Sequence, residues 1–138
     1  MQDCLFCKFV RKELPAEIVY EDDTVLVFVD IKPNNPGHVL VLPKAHADTF
    51  ADAPEESIQA IALVAQRMGR AVMKAFGATG FNIGVNNGQT AGQVIYHLHM
   101  HVIPRFEGDG LEHWHGKPYQ DGEIAEVGQK IRNVLSLG

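Results

Sequence analysis

The segment that decides the fold reads Tyr96-His97-Leu98-His99-Met100-His101-Val102-Ile103. Polar and apolar side chains alternate along it, which is the pattern of a β-strand with one covered face. Because successive side chains of a strand point to opposite faces, we expect the three histidines to share one face, with neighbouring imidazoles roughly 6.5–7 Å apart. The apolar residues that would face the core are Leu98, Met100 and Val102.

Short runs of β-branched and aromatic residues predict four further strands, each bounded by turn residues. These strands are expected at 18–20, 25–29, 39–42 and 81–85. A Gly-, Asn- and Gln-containing loop separates the last of them from the histidine strand. The stretch 104–122 is rich in glycine, proline and charge and is predicted to be an extended loop.

Two amphipathic helices complete the pattern. Asp52 and Glu55 have capping-box spacing before the first helix, and Gly77 provides its C-terminal stop. Its apolar stripe, at helical spacing, is Ile58, Ile61, Ala65, Met68, Val72 and Phe76. The closing helix has its stripe at Ile124, Val127, Ile131 and Val134.

Strands outnumber helices and do not alternate regularly with them, which favours an α+β fold with a mainly antiparallel sheet. The 138 residues suit one domain, and no repeat or long linker divides them. We therefore expect a single domain over 1–138, with a core at about 4–105 and a loop plus C-terminal helix at 106–138.

Composition excludes several classes of protein. A net charge of −5 argues against nucleic acid as a partner, since a phosphate backbone requires a basic surface. The sequence has no stretch near the ~20 apolar residues of a membrane span, and its N-terminus lacks the pattern of a secretory signal. A cytoplasmic protein with reduced thiols is the expectation.

The row of histidines concentrates groups that titrate near neutral pH, and two chemistries could use it. Alternating histidines on a strand can hold zinc with a position open for water. Alternatively, a neutral imidazole can attack phosphorus and form a phosphoramidate that water or another acceptor resolves. A solvent-facing strand with incidental histidines is the third interpretation.

The segment 97–103 resembles the motif of the histidine triad (HIT) family, in which histidines alternate with hydrophobic residues and two hydrophobic residues end the motif. The resemblance covers about residues 4–105. Upstream stretches that resemble the family, in the same order, are Asp30-Ile31, Pro36-Gly37-His38-Val39-Leu40-Val41, Lys44-Ala45-His46 and Ala91-Gly92-Gln93.

This resemblance implies a histidine triad nucleotide-binding hydrolase whose two five-stranded sheets join into one ten-stranded sheet in a homodimer. It also implies a covalent nucleotidyl intermediate on His99. That imidazole must be neutral at the attacking nitrogen, with the other nitrogen donating a hydrogen bond, for which a backbone carbonyl is one acceptor. His101 and His38 would donate to phosphate oxygens, although His38 could equally be an ordinary hydrogen-bonded polar residue.

Residues outside the histidine row are expected to bind the nucleotide. The loop before the row combines glycines, which allow close backbone approach, with neutral amide donors; Asn86, Gly92 and Gln93 are the expected contacts. A polar hairpin is the alternative for this loop. By resemblance, Asp30 would accept hydrogen bonds from the ribose and Ile31 would pack on the base, while Asp30 could instead cap the turn before Pro33.

Cys4 and Cys7 have the C-x-x-C spacing of metal ligands, although a reduced, packed thiol pair also fits. The resemblance to a zinc-bearing branch of the family, and to the galactose-1-phosphate uridylyltransferases, adds His46 and His97. A closed Cys2His2 zinc site would be structural and would leave His99 and His101 for chemistry.

The leading hypothesis is a hydrolase or transferase acting at the α-phosphorus of a purine nucleoside phosphoramidate or dinucleoside polyphosphate. No magnesium-binding acidic cluster is evident in the sequence, so no Mg²⁺ is expected to be required. Val94 stands where several family members carry a Ser or Thr that assists the leaving group, so the leaving-group preference stays open. Arg105 could lie near phosphates, and Trp114 could contribute to a dimer interface. The alternative is a nucleotide-binding regulator with incidental catalysis.

Overall fold

A computed structural model of the chain describes residues 3–137. The described residues begin and end with a helix, and five strands and one long helix lie between them. The elements are α1 (Leu5–Val10), β1 (Ile18–Glu21), β2 (Val25–Val29), β3 (Val39–Pro43), α2 (Glu55–Phe76), β4 (Gly80–Gly84), β5 (Met100–Arg105) and α3 (Glu123–Leu137). A short 3₁₀ turn, Gln89–Ala91, lies in the loop between β4 and β5.

The five strands form one antiparallel sheet in the order β1-β2-β3-β5-β4. The histidine segment enters it near the middle, because β5 lies between β3 and β4, and His101 pairs with Leu40 on one side and Gly84 on the other. The expected α+β class with a five-stranded antiparallel sheet is therefore confirmed. The joining of two such sheets in a dimer stays a prediction.

One face of the sheet is covered by α2. Ile61, Val64, Ala65 and Val72 are buried there against the valines of β2 and β3. At Gly69 a Cβ atom would come within 2.3 Å of the Phe81 ring, so this position allows the helix to approach β4 closely. Truncating a fully buried residue of this interface, such as Ile61 to Ala, would cost about 2–5 kcal/mol.

The expected capping box of α2 is wrong. The helix begins at Glu55 with Pro54 at the N-cap and no side-chain cap. Asp52 instead accepts a hydrogen bond from the hydroxyl of Thr49 at 2.8 Å, so its carboxylate stabilises the preceding turn. The C-terminal stop at Gly77 is confirmed, with a left-handed φ of 69°.

The opposite face of the sheet is covered by α1, a helix that the sequence reasoning did not predict. Six residues are too few to show helical periodicity. Phe6 of α1 is buried against the sheet, and its neighbours in this second cluster are Leu26, Phe28, Leu40 and Leu42. The site described below lies on this face.

Strand β5 begins at Met100, four residues later than expected, and continues through Arg105. Its pairing with β3 ends at Met100, and the backbone N–H of Leu98 donates to the carbonyl of Ala47 at 2.8 Å. Residues 95–97 form a bend, but from Leu98 onward alternate residues still enter the same cluster. The residues that enter the α2-facing cluster are Leu98, Met100 and Val102.

The loop expected at 104–122 is observed at 106–122, because Pro104 and Arg105 belong to β5, and α3 is the expected closing helix. In the loop, Trp114 is 97% exposed. None of the residues described in α3 is buried. No helix within residues 3–137 has the length and apolar character needed to cross a bilayer.

Candidate functional site

The site is built around two imidazoles on the α1-covered face. The ring centroids of His99 and His101 are 5.0 Å apart, closer than strand geometry alone predicts, because the rings meet edge to face. The Phe6 ring approaches His99 edge-on at 5.0 Å, and His99 is 8% exposed. The expected juxtaposition of His99 and His101 on one face is thus present.

The hydrogen bond made by His99 identifies its tautomer. Nδ1 of His99 lies 2.7 Å from the carbonyl oxygen of His97, which can only accept, so Nδ1 carries the proton. Nε2 then keeps its lone pair. Burial lowers the pKa of His99 from its ordinary value, which favours the neutral ring. The arrangement is that of an imidazole nucleophile with a fixed tautomer.

A second chain of bonds orients His101. The backbone N–H of Asn34 donates to Nδ1 of His38 at 3.1 Å, so the His38 proton sits on Nε2. This nitrogen is 2.9 Å from Nδ1 of His101 and donates to it. The remaining proton of a neutral His101 is therefore on Nε2, as a donor. The pKa of His101 is lowered to about 4, mainly because the ring is buried and also because His99 and His38 lie nearby.

The expectation that His38 donates directly to a phosphate does not match the geometry. His38 is 1% exposed, and both ring nitrogens already have partners. Burial lowers its pKa, and the Asp30 carboxylate, 3.5 Å from Nε2, opposes that shift. His38 therefore contacts His101 in this structure, and its part in binding a phosphate stays a prediction.

Asp30 and Ile31 lie in the turn that follows β2. One carboxylate oxygen of Asp30 accepts from the backbone N–H of Lys32 at 2.9 Å, so the expected turn cap is present. The other oxygen faces His38. Ile31 is 92% exposed, and its packing on a base stays a prediction, as does the contact of Asp30 with a ribose.

The loop before β5 is held by the side chain of Gln93. Its amide nitrogen donates to the carbonyls of Asp48 and Ile95, at 2.7 and 3.0 Å, and its oxygen accepts from the backbone N–H of Gly88 at 2.8 Å. Gln93 therefore shapes this loop, and its direct contact with a nucleotide stays a prediction.

Gly92 and Asn86 face each other across the same loop. Gly92 has φ 94°, a conformation that only glycine adopts without strain, and a Cβ there would lie 3.7 Å from the Asn86 amide nitrogen. The loop thus presents backbone and a half-buried amide side by side. Their contact with a nucleotide also stays a prediction.

The third histidine belongs to a different cluster. Nδ1 of His97 lies 3.5 Å from the sulfur atoms of both Cys4 and Cys7, and Nδ1 of His46 lies 3.2 Å from the Cys7 sulfur. All four donor atoms lie within 4.8 Å of one another. With Zn–S bonds of about 2.3 Å and Zn–N bonds of about 2.0–2.1 Å, tetrahedral coordination places sulfur and nitrogen about 3.5 Å apart, so these residues fit a zinc ion.

The outer ring nitrogens of this cluster are also engaged. Nε2 of His97 donates to the carbonyl of Pro43 at 2.8 Å, and Nε2 of His46 donates to the Asp48 carboxylate at 2.7 Å. Both rings therefore direct the lone pair of Nδ1 at the cysteines, as metal-binding histidines with outer-shell acceptors do. The triple-histidine zinc hydrolase is not supported, because His97 and His101 point to different partners.

Arg105 does not lie free beside the site, contrary to expectation. Its guanidinium donates to the Asp109 carboxylate through two nitrogens, at 2.8 and 3.0 Å, and also to Asn82 and the carbonyl of Leu111. These bonds hold the pKa of Asp109 well below its usual range. The arginine thus fixes the start of the 106–122 loop.

Two contributors were missed by sequence reasoning. Phe6 forms the wall beside His99, and Asn34 sets the tautomer of His38 through its backbone. The position of Phe6 inside the C-x-x-C stretch was a usable signal, because an ion bound by both cysteines would also fix the residue between them. A backbone donor such as Asn34 leaves no signal in the sequence.

Comparison with known proteins identifies the family. A family model described as the HIT domain matches residues 11–108. The chain belongs to the HIT family. Adenylylsulfatase HINT3 of Arabidopsis thaliana is 44% identical over 109 residues, which cover 79% of this chain and 55% of that protein.

Two solved structures match nearly the whole chain. A Streptococcus mutans protein, 36% identical, matches with a TM-score of 0.90 over 99% of this chain and 85% of its own. A zinc-bound histidine triad family protein of Mycobacterium smegmatis, 35% identical, matches with a TM-score of 0.77 over 99% of both chains. Because both matches cover 99% of this chain, the structural similarity extends beyond residues 11–108, which the family model matches.

Proposed function

We propose that this chain is a nucleotidyl hydrolase or transferase that attacks the α-phosphorus of a purine nucleotide through Nε2 of His99. One observation carries the proposal. The bond from Nδ1 of His99 to the carbonyl oxygen of His97 leaves Nε2 unprotonated in a neutral, buried ring. A nucleophile of this kind is needed for covalent transfer at phosphorus.

In the first step the lone pair of Nε2 forms a nitrogen–phosphorus bond. The bond from phosphorus to the leaving group breaks, and the leaving group departs with that electron pair. Nε2–H of His101 donates a hydrogen bond to the phosphoryl oxygen or the leaving atom, where negative charge develops. The donor is held in place by the bond from His38 to Nδ1 of His101.

In the second step a water oxygen attacks the same phosphorus and His99 leaves with the electrons of the nitrogen–phosphorus bond. The nucleoside monophosphate is released. In the net reaction, water gives its hydroxyl group to phosphorus and one proton to the leaving group. An alcohol or phosphate acceptor in place of water would give transfer instead of hydrolysis.

The nucleotide is positioned by the groups around the histidines. In line with the resemblance, the ribose hydroxyls would donate to Asp30 and the base would pack on Ile31. Asn86 and Gly92 would bind the phosphate through amide and backbone donors, with Gln93 holding their loop in place. Nucleoside phosphoramidates and dinucleoside polyphosphates are the proposed substrates, and the similarity to HINT3 adds a sulfated adenylate to the test panel.

We further propose that Cys4, Cys7, His46 and His97 hold a structural zinc ion, supported by their donor geometry and by the zinc-bound relative. A zinc ion with four protein ligands cross-links the chain and has no position for a catalytic water. The site would join α1 to the segment that follows β3 and to the segment before β5.

The test is a rapid-quench experiment with adenylate and guanylate phosphoramidates, dinucleoside polyphosphates and adenosine phosphosulfate. Mass spectrometry of the quenched protein should find a nucleotidyl group on His99 and on no other histidine. Turnover without an adduct on His99 would overturn the mechanism. Rates far below the ~1 s⁻¹ of slow enzymes on every substrate would instead favour the nucleotide-binding regulator.

A further inference from the structure

Phe6 connects the Cys2His2 cluster to the proposed nucleophile. It lies between Cys4 and Cys7 in the sequence, and its ring meets His99 at 5.0 Å with an interplanar angle of 83°. The same ring lies 6.2 Å from that of His97. Because Phe6 is 5% exposed, it has little room to leave His99 while α1 remains seated on the sheet.

Helix α1 depends on its contacts with the rest of the protein. It has six residues, whereas isolated helices shorter than about 12–15 residues are marginal in water. Its N-cap is Cys4, whose sulfur accepts a hydrogen bond from the backbone N–H of Cys7 at 3.3 Å. The remaining anchor is the packing of Phe6 and Phe9 on Phe28. A metal ion bound by both cysteines would therefore act directly on the seating of α1.

We propose that metal occupancy of the Cys2His2 cluster seats α1 and, through Phe6, holds the His99 ring in its attacking orientation. The inference rests on the proposed function of His99. Phe6 is a positioning residue, since it acts through His99. The hydrogen bond to His97 fixes which nitrogen of His99 is protonated, and the Phe6 ring limits the rotation of the imidazole about that bond.

His97 provides a second, shorter route between the sites. Its imidazole belongs to the cluster, while its backbone oxygen accepts the proton of His99. A metal ion that fixes the His97 side chain would also restrain this carbonyl. Both routes connect the cluster to the same ring, so loss of the metal should be detectable at His99 itself.

The experiment compares the zinc-loaded full chain, the metal-stripped chain and two zinc-loaded variants, Phe6→Leu and Leu5→Ala. Leu5→Ala is the matched control, because Leu5 lies on the same helix beside Phe6, is 38% exposed and belongs to neither of the two buried clusters described. The readouts are zinc content, amide exchange of α1, the nitrogen-15 signals of the His99 ring, and the single-turnover rate of adduct formation.

We expect metal removal to speed amide exchange in α1, and both metal removal and Phe6→Leu to shift and broaden the nitrogen-15 signals of the His99 ring, because the imidazole is then free to rotate. Adduct formation should slow on the order of 10–100-fold, the effect of a misplaced reacting group. Leu5→Ala should leave the His99 signals in place. Phe6→Met, whose flexible thioether can still contact the edge of the His99 ring, should recover part of the rate.

Unchanged His99 signals and adduct rates in both the stripped chain and Phe6→Leu would overturn the coupling. If the loaded chain contains no zinc, the metal assignment and the coupling both fail, while an adduct on His99 in the same sample would leave the proposed nucleophile intact. Absence of the adduct despite bound zinc would instead refute the proposed function. Should Phe6→Leu not fold, the stripped wild-type chain decides the outcome.

Discussion

His97 and His99 are joined by a hydrogen bond of 2.7 Å, from Nδ1 of His99 to the backbone oxygen of His97. The side chain of His97 turns away from this contact, towards Cys4 and Cys7. The first histidine of the row thus belongs to the cysteine cluster by its ring and to the proposed catalytic site by its backbone. The proposed nucleophile and the proposed metal ligand are therefore two residues apart, and their rings have different partners.

Replacing His99 with Ala should lower turnover roughly 10³-fold or more, because the variant has no group that can form the nitrogen–phosphorus bond. Nucleotide affinity should stay within a few-fold, since the proposed ribose, base and phosphate contacts are made by other residues. Steady-state kinetics and calorimetric titration with a nucleoside monophosphate measure the two effects. His113→Ala, an exposed loop histidine, is the matched control; near-normal turnover in His99→Ala would refute the mechanism.

Replacing His38 with Leu should lower kcat about 10–100-fold with little change in KM. Without the donor at Nε2, the proton of His101 is no longer directed to the nitrogen that faces the substrate. His38→Gln places an amide donor near the same position and should recover much of the rate. Denaturant unfolding of both variants distinguishes a catalytic loss from a folding defect, and equal rates in the Leu and Gln variants would contradict the relay.

Much of the fold was accessible from the sequence because its signals are local. The continuous apolar runs of β2 and β3 correspond to strands buried on both faces, and the stripe from Ile58 to Val72 corresponds to the buried side of α2. Helix α1 could not be predicted from the sequence, because it has no local signal of this kind. Its stability comes from packing and capping, not from a periodic pattern, and so no six-residue window reveals it.

The candidate site depends on contacts between residues far apart in the chain. His38 meets His101 across 63 positions, and Cys7 meets His97 across 90. Strand alternation predicted the common face of His99 and His101, but the partners of the cysteines came only from a resemblance. Arg105 was assigned to the site because it follows the histidine segment closely in the sequence. Its guanidinium instead donates to the carboxylate of Asp109, four residues further on.

Val94→Ser should change the leaving-group preference without weakening the fold. Val94 is 84% exposed, so its replacement leaves no cavity in the core. It lines a cavity of about 330 Å³ beside the cysteine cluster, together with His46 and Tyr96, and the expectation about the leaving group rests on the resemblance. A hydroxyl at this position would supply a donor that valine lacks, so turnover of amine-leaving phosphoramidates should rise relative to that of dinucleoside polyphosphates.

The measurement for this variant is the ratio of kcat/KM between the two substrate classes, with Val94→Ala as the control for volume. We expect a rise of about tenfold in Val94→Ser, the effect of one added hydrogen bond of about 1.4 kcal/mol in the transition state. The same ratio in the Ser and Ala variants would show that a hydroxyl at position 94 has no part in departure of the leaving group.

The buried histidines should make the fold sensitive to acid. The pKa of His101 is about 4 in the folded chain and about 6.5 when the chain is unfolded. Between these values the unfolded chain binds a proton that the folded chain does not, so the contribution of His101 is fully present above pH 6.5 and is lost as the pH falls through 4. A shift of this size corresponds to a loss on the order of 3 kcal/mol in the free energy of unfolding.

Denaturant unfolding of the wild-type chain and His101→Gln between pH 7.5 and 4 isolates this contribution. The groups that face His101 are His99, His38 and Asp30, and protonation of the Cys2His2 residues also destabilises the fold in acid. Because those groups titrate in both proteins, their effects largely cancel in the difference. Below pH 6.5 the free energy of unfolding should fall more steeply in the wild-type chain than in His101→Gln. Parallel curves would mean that burial does not keep His101 neutral. The assignment of Nε2–H as the sole free donor of that ring would then lose its basis.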